Sequence, residues 1–151
     1  MPKVLGFSFG ANEIQTVCLS GTKATPCFEG RERVLFPHAM DVGDVSIWSE
    51  SQLGLLLDRF SPEVIAYKLT RGAPTVKEIS RVYFSIGILN LLANKRQIPI
   101  SHHNSPLSHC KMGVARGTDL REHITLRIGE HSPYWNDHAK DSAIVAFCEL
   151  N

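Results

Sequence analysis

The chain has no long hydrophobic run, no CxxC pair and no excess of either charge, and each absence removes a class of protein. The longest apolar stretch, around Val82 to Leu92, is broken by Ser85, Gly87 and Asn90 and falls short of a membrane span. Cys18, Cys27, Cys110 and Cys148 are too scattered for a disulfide framework or a zinc site, so free thiols in a reducing compartment are expected. Sixteen basic residues against fifteen acidic leave a net charge of +1 and a pI near 7.8. Any affinity for nucleic acid must therefore come from local clustering of bases. The N-terminus runs straight into a strand pattern without signal-peptide architecture. No repeat, low-complexity segment or linker divides the 151 residues, so residues 1–151 read as one cytosolic domain with no membrane partner.

What is present is an alternation of strands and helices. Residues 3–9 combine β-branched and aromatic residues in a near-continuous apolar run, the mark of a buried central strand. Gly10-Ala11-Asn12-Glu13 makes a tight turn into an antiparallel partner over residues 14–19, and a third strand is expected at 33–36, ended by Pro37. The stretch from His38 to Trp48 reads as loop. Ser49, with Gln52 three residues on, reads as a capping box for a helix to about Arg59. Residues 63–69 form a fourth strand, parallel to the first because it follows a helix. Thr75 and Glu78 cap a long helix to about Lys95, and a fifth strand follows at 97–101. Thr118-Asp119 opens a helix to about Ile128, and the last helix spans roughly 136–150. The order β-β-β-α-β-α-β-α-α predicts a mixed five-stranded α/β sheet flanked by helices. On the long helix, Phe84, Ile88 and Leu91 widen the apolar stripe beyond what one sheet face needs, which predicts a second buried contact such as a homodimer partner.

The last helix carries the chemistry. His138 and Asp141, three residues apart, project from nearly one face, followed by small and apolar residues (Ala143, Ile144, Ala146, Phe147) that fit close packing on something flat. A carboxylate and an imidazole together can ligate a divalent cation, and the imidazole can carry a proton. The plainer reading is a surface-facing first turn in which Asp137 and Asp141 complement the helix dipole. Pro133-Tyr134-Trp135, just before, could stack on a base or staple the helix entry against the core. His102, His103, His109 and Cys110 have no diagnostic metal spacing, and Gly113–Gly117 lacks phosphate-loop context.

The element order resembles the RNase H-like fold, and three motif positions resemble its RuvC-type Holliday-junction resolvase branch, including small bacterial and phage RuvC-like domains. Gly6-Phe7-Ser8-Phe9-Gly10 stands where that family has Gly-(Ile/Val)-Asp-Pro-Gly. Val64-Ile65-Ala66-Tyr67-Lys68 stands at the apolar strand that ends in a catalytic glutamate. His138-Ala139-Lys140-Asp141-Ser142-Ala143 stands at (Asp/His)-x-x-Asp-Ala. The resemblance implies two-metal phosphodiester hydrolysis with Mg or Mn, held by acidic side chains. The chain departs from it at Ser8, which replaces an aspartate, and at Tyr67 or Lys68, which replaces the glutamate. Of the implied catalytic set Ser8, His138 and Asp141, only the last two are metal ligands in type.

Three functions follow. One is a nucleic-acid-associated RuvC-like protein with weak or lost nuclease activity, holding DNA or RNA through phosphate contacts from Lys68, Arg71, Lys77, Lys111 and Arg116. Another is an active metal-dependent nuclease with an altered site on His138 and Asp141, with Ser8 in support. The third is a protein-interaction module on the same scaffold.

Overall fold

The computed structural model describes residues 2–69, 72 and 75–151. Its five strands form one sheet in the order β3-β2-β1-β4-β5. Strands β1 (Val4–Phe9), β4 (Val64–Lys68) and β5 (Ile100–His103) are parallel, while β2 (Glu13–Gly21) runs antiparallel between β1 and the edge strand β3 (Pro26–Leu35). The apolar run of β1 is buried along its whole length because the sheet is covered on both faces.

Side chains alternate between two cores. Leu5, Phe7, Phe9, Ile65 and Tyr67 face α1 (Val42–Phe60) and α3 (Ser85–Lys95). Val4, Val17 and Leu19 face α6 (Asp137–Cys148) together with Ile124 of α5 (Leu120–Ile128). Alternation places Gly6 and Ser8 on the α6 side, where the helix backbone comes so close that a Cβ on Gly6 would lie 2.0 Å from the Ser142 carbonyl oxygen. One hydroxyl ties the helix to the sheet and another ties β2 to β1 beneath it. Ser142 Oγ donates to the Gln15 carbonyl at 2.9 Å, and Thr16 Oγ1 to the Gly6 carbonyl at 2.7 Å.

The caps at Thr75 and Asp119 form as the sequence predicts, and Asn136 caps the last helix as well, each side chain accepting from a backbone N–H of its helix. Thr75 opens α2 (Val76–Ile79), which passes through a π-helical turn at Ser80–Phe84 into α3. Within that turn Arg81 is buried and donates to the carbonyls of Ala11 and Pro37, tying the helix to the β1–β2 turn and to the entry of α1.

Four expectations are corrected. The third strand begins at Pro26, seven residues early, because it pairs along all of β2; as an edge strand rich in Glu and Arg it lacks a hydrophobic signature. The segment from Val42 to Trp48 is helix, not loop. Ser49 is no cap but a fully buried residue whose Oγ lies 2.8 Å from Ser85 Oγ, and the buried stripe Val45, Ser49, Leu53, Leu56 runs back past it. The fifth strand lies at Ile100–His103 rather than 97–101, since Gln97 turns the chain with φ 58° before the strand begins. An unexpected helix, α4 (Ser105–Met112), follows it.

Candidate nucleic-acid interface

The start of α6 is placed over the carboxyl ends of β1 and β4, where open α/β sheets form their clefts. Asn136 sets the entry: its Oδ1 accepts from Ala139 N at 3.1 Å while its Nδ2 donates to Glu13 Oε1 at 3.1 Å. His138 then reaches β1, with Nδ1 3.1 Å from the buried Ser8 Oγ. The other edge of the ring lies over Gly10, where a Cβ would approach Cε1 to 3.0 Å and Nε2 to 3.1 Å, so the imidazole is fitted against bare backbone.

Register settles which of Tyr67 and Lys68 faces α6. Phe7 pairs with Tyr67 across β1 and β4, so Tyr67 lies on the α1–α3 face. Lys68, one step on, falls beside Ser8 and faces α6. Its Nζ donates to Asp141 Oδ2 at 2.8 Å. Arg121, in the first turn of α5, donates to the same carboxylate in a fork, Nε to Oδ1 at 3.0 Å and Nη2 to Oδ2 at 3.1 Å. Its Nη1 lies 3.2 Å from Asp137 Oδ2. Asp141 is only 8% exposed, so the surface reading does not hold for it, while Asp137 stays exposed in the first turn. The bond to Asp141 is the main reason that the Arg121 guanidinium holds its proton more firmly than usual, against the opposing effect of partial burial.

Hard divalent ions need several free oxygen ligands. Both oxygens of Asp141 already accept from protein cations, and Ser8 supplies only a neutral hydroxyl hydrogen-bonded to His138. No group of three or more His, Cys, Asp or Glu side chains converges on a metal position among the described residues. The residues present, in this arrangement, do not fit a divalent cation at Asp141 and His138. The two positive groups stand instead as fixed counterions. Lysine has three donors and arginine five. The hydrogen bonds to Asp141 engage one N–H of Lys68 and two of Arg121, whose Nη1 forms an ion pair with Asp137. The remaining donors belong to side chains 35% and 41% exposed.

Beside this network opens a cavity of about 300 Å³ lined by Lys68, His103, Thr118, Arg121 and Asp141, among others. His103 is fully buried, with Nε2 2.7 Å from Glu149 Oε1 and Nδ1 without a hydrogen-bond partner among the described residues. Lys111 completes the group, 3.4 Å from the same Glu149 oxygen. Burial holds the His103 imidazole below its usual pKa, Lys111 adds to this, and the bond to Glu149 opposes it. Burial would raise the Glu149 carboxyl, but His103 and Lys111 hold it below the ordinary range. On the opposite flank, Glu13 is likewise held low. Burial raises it, and hydrogen bonds from Arg33 and Asn136 with the charges of Arg33 and His138 prevail.

The structure thus brings Ser8, His138, Asp141 and Lys68 together, with Lys111 at the Glu149 side of the cavity. Lys77 is exposed on α2, by the cavity that His38, Met40 and Arg81 line, and Arg116 is exposed in the turn before α5. Arg71 lies outside the described residues. Of the two readings of Pro133-Tyr134-Trp135, the staple holds for Trp135, which is buried and donates Nε1–H to Thr125 Oγ1 at 3.1 Å, while Tyr134 stays exposed. Arg121 was not foreseen. A cation in the first turn of a helix opposes the dipole, and that unfavourable placement was the signal that it had another task.

No family model matches the chain, and no curated protein matches it significantly. Solved structures do resemble it. RuvC of Thermus thermophilus superposes with TM-score 0.77 at 16% identity, covering 97% of this chain and 92% of that one. The T. thermophilus RuvC in complex with Holliday junction substrate gives 0.76 at 14% identity over 98% and 92%. The yeast mitochondrial Holliday junction resolvase Ydc2 gives 0.71 at 17% identity over 97% and 77%. The chain therefore has the RuvC-type, RNase H-like fold.

Proposed function

We propose that this protein is a RuvC-like nucleic-acid-binding protein that holds the phosphate backbone without cutting it efficiently. The observation that carries this is the pairing of Asp141 with both Lys68 and Arg121. Where a two-metal nuclease needs carboxylates around cations, this cleft carries its own cations around one carboxylate. Their outward donors suit phosphate oxygens, which bind by charge without reading sequence. The fold shared with a RuvC bound to Holliday junction substrate makes branched DNA the first ligand to try, and an RNA–DNA hybrid the second. No described helix is long and apolar enough to cross a membrane.

The hydrogen bond between Ser8 and His138 favours the nuclease reading to one extent only: it orients an imidazole at the cleft, ready to act as a base. That reading requires Asp141 to give up Lys68 and Arg121 to Mg or Mn. Two measurements separate them. Anisotropy titration of a labelled four-way junction should show binding that weakens steeply with salt and is unchanged by EDTA. Calorimetry of Mg and Mn against the protein should show no saturable heat. Saturable metal binding accompanied by junction cleavage would establish the nuclease instead.

A further inference from the structure

On the far side of the α6 entry from Lys68, Tyr134 is 60% exposed, with its backbone at φ +62°. A bulky residue in the left-handed region carries strain that burial of the ring would ordinarily offset, yet here the ring is held out in solvent. One face of it is covered by Arg33, whose Cζ sits 4.2 Å from the ring centroid. Arg33 is fixed in turn by its ion pair with the buried Glu13, which also holds the α6 cap Asn136. Arg31, Arg33 and Leu35 alternate onto one face of the edge strand β3, and together with Tyr134 they border a shallow cavity of about 330 Å³. Arg31 has no ion pair among the described residues.

We propose that Tyr134 and Arg33 form a stacking platform for one unpaired nucleobase, with Arg31 taking the adjoining phosphate. This rests on the nucleic-acid reading above and adds a contact that Lys68 and Arg121 cannot make. A cation buttressing one face of an aromatic ring leaves the other face for a second planar group, and every base offers one. The two arginines favour a polyanion over an apolar peptide. Glu13 and Asn136 link the platform to the first turn of α6, whose Asp137 touches Arg121, so a strand could run from the cation cluster across the helix entry to Tyr134.

The test uses the full chain and a four-way junction or single strand carrying 2-aminopurine at an unpaired position. Wild-type binding should quench that fluorescence. Tyr134→Ala should weaken binding about tenfold and lose the quench, with an unchanged salt slope, because stacking releases no counterions. Tyr134→Asn, whose side chain tolerates positive φ, should behave the same and separates a lost ring from a disturbed backbone. Tyr134→Phe should bind within about twofold of wild type, and Arg31→Ala should lower the salt slope by about one. If wild type binds and Tyr134→Asn binds and quenches equally, the platform is wrong and the phosphate-binding reading stands. If wild type binds no nucleic acid at any salt, both fail, and the exposed ring is left to a protein partner.

Discussion

Asp141 is a carboxylate outnumbered by its neighbours, and that imbalance sets what its loss should do. Removing it leaves Lys68 and Arg121 close together with only the exposed Asp137 for relief. An exposed ion pair contributes little. Asp141→Asn should nonetheless cost about 1–3 kcal/mol of stability, seen in the denaturation midpoint, because a half-buried cation pair loses its counter-charge and one of its two acceptor oxygens. The same substitution should tighten junction binding by about threefold or more, since one negative charge a few ångströms from the bound phosphate disappears. A metal ligand behaves in the opposite way: its amide variant binds metal and substrate more weakly. An Asp141→Asn protein with lower junction affinity would argue that the carboxylate serves the ligand rather than the two cations.

At the scale of elements, the contact of α6 with β1 depends on the absence of one methyl group. Gly6→Ala would bring its Cβ to 2.0 Å from the Ser142 carbonyl oxygen and 3.0 Å from Ala146 N, both backbone atoms that no side-chain rotation relieves. The helix must lift, and with it His138 and Asp141. We expect a loss of about 3 kcal/mol or more, or no folded protein, by thermal melting; a melting temperature within a few degrees of wild type would show that α6 can slide. The pairing of β5 with the end of α6 predicts a pH dependence. His103 is held below its usual 6.5 in the fold, so on acidification the unfolded chain takes up its proton first. The stability due to a neutral His103 is therefore complete above about pH 6.5 and declines as pH falls through that value toward the folded pKa. Glu149, also lowered, adds its own loss below its usual 4.5. Urea unfolding at pH 7.5, 6 and 5 should show this decline, and His103→Gln should flatten its upper part. A His103 resonance titrating above 6.5 by NMR would contradict it.

At the scale of the whole molecule, the apolar excess on α3 and the π-helical turn before it remains after the core is complete. Phe84 and Leu91 are 41% and 43% exposed, with the partly buried Ile88 between them at helical spacing. We propose that this stripe is where a second copy of the chain packs, placing two clefts in one assembly. Sedimentation should give a dimer at micromolar concentration, and Phe84→Lys with Leu91→Lys should give a folded monomer. A wild-type monomer at 100 μM (an order-of-magnitude ceiling for a stable interface) would remove the dimer.

Local rules carried much of the architecture. The caps at Thr75 and Asp119, the buried run of β1, the tight turn at Gly10 and the small residues of α6 were legible because each depends on neighbours a few positions away. So was the choice of β4 as parallel to β1. The edge strand β3 and the first turns of α1 were hidden, because polar edge residues and a helix start exposed at Val42, Gly43 and Asp44 carry no local signature. The electrostatics of the site lay wholly in the tertiary structure. Whether Lys68 or Tyr67 faces α6 is a matter of strand register, which one residue of slip would invert. That Arg121, twenty positions from Asp141, closes on its carboxylate depends on how α5 docks against α6, a long-range contact that the order of residues along the chain does not display.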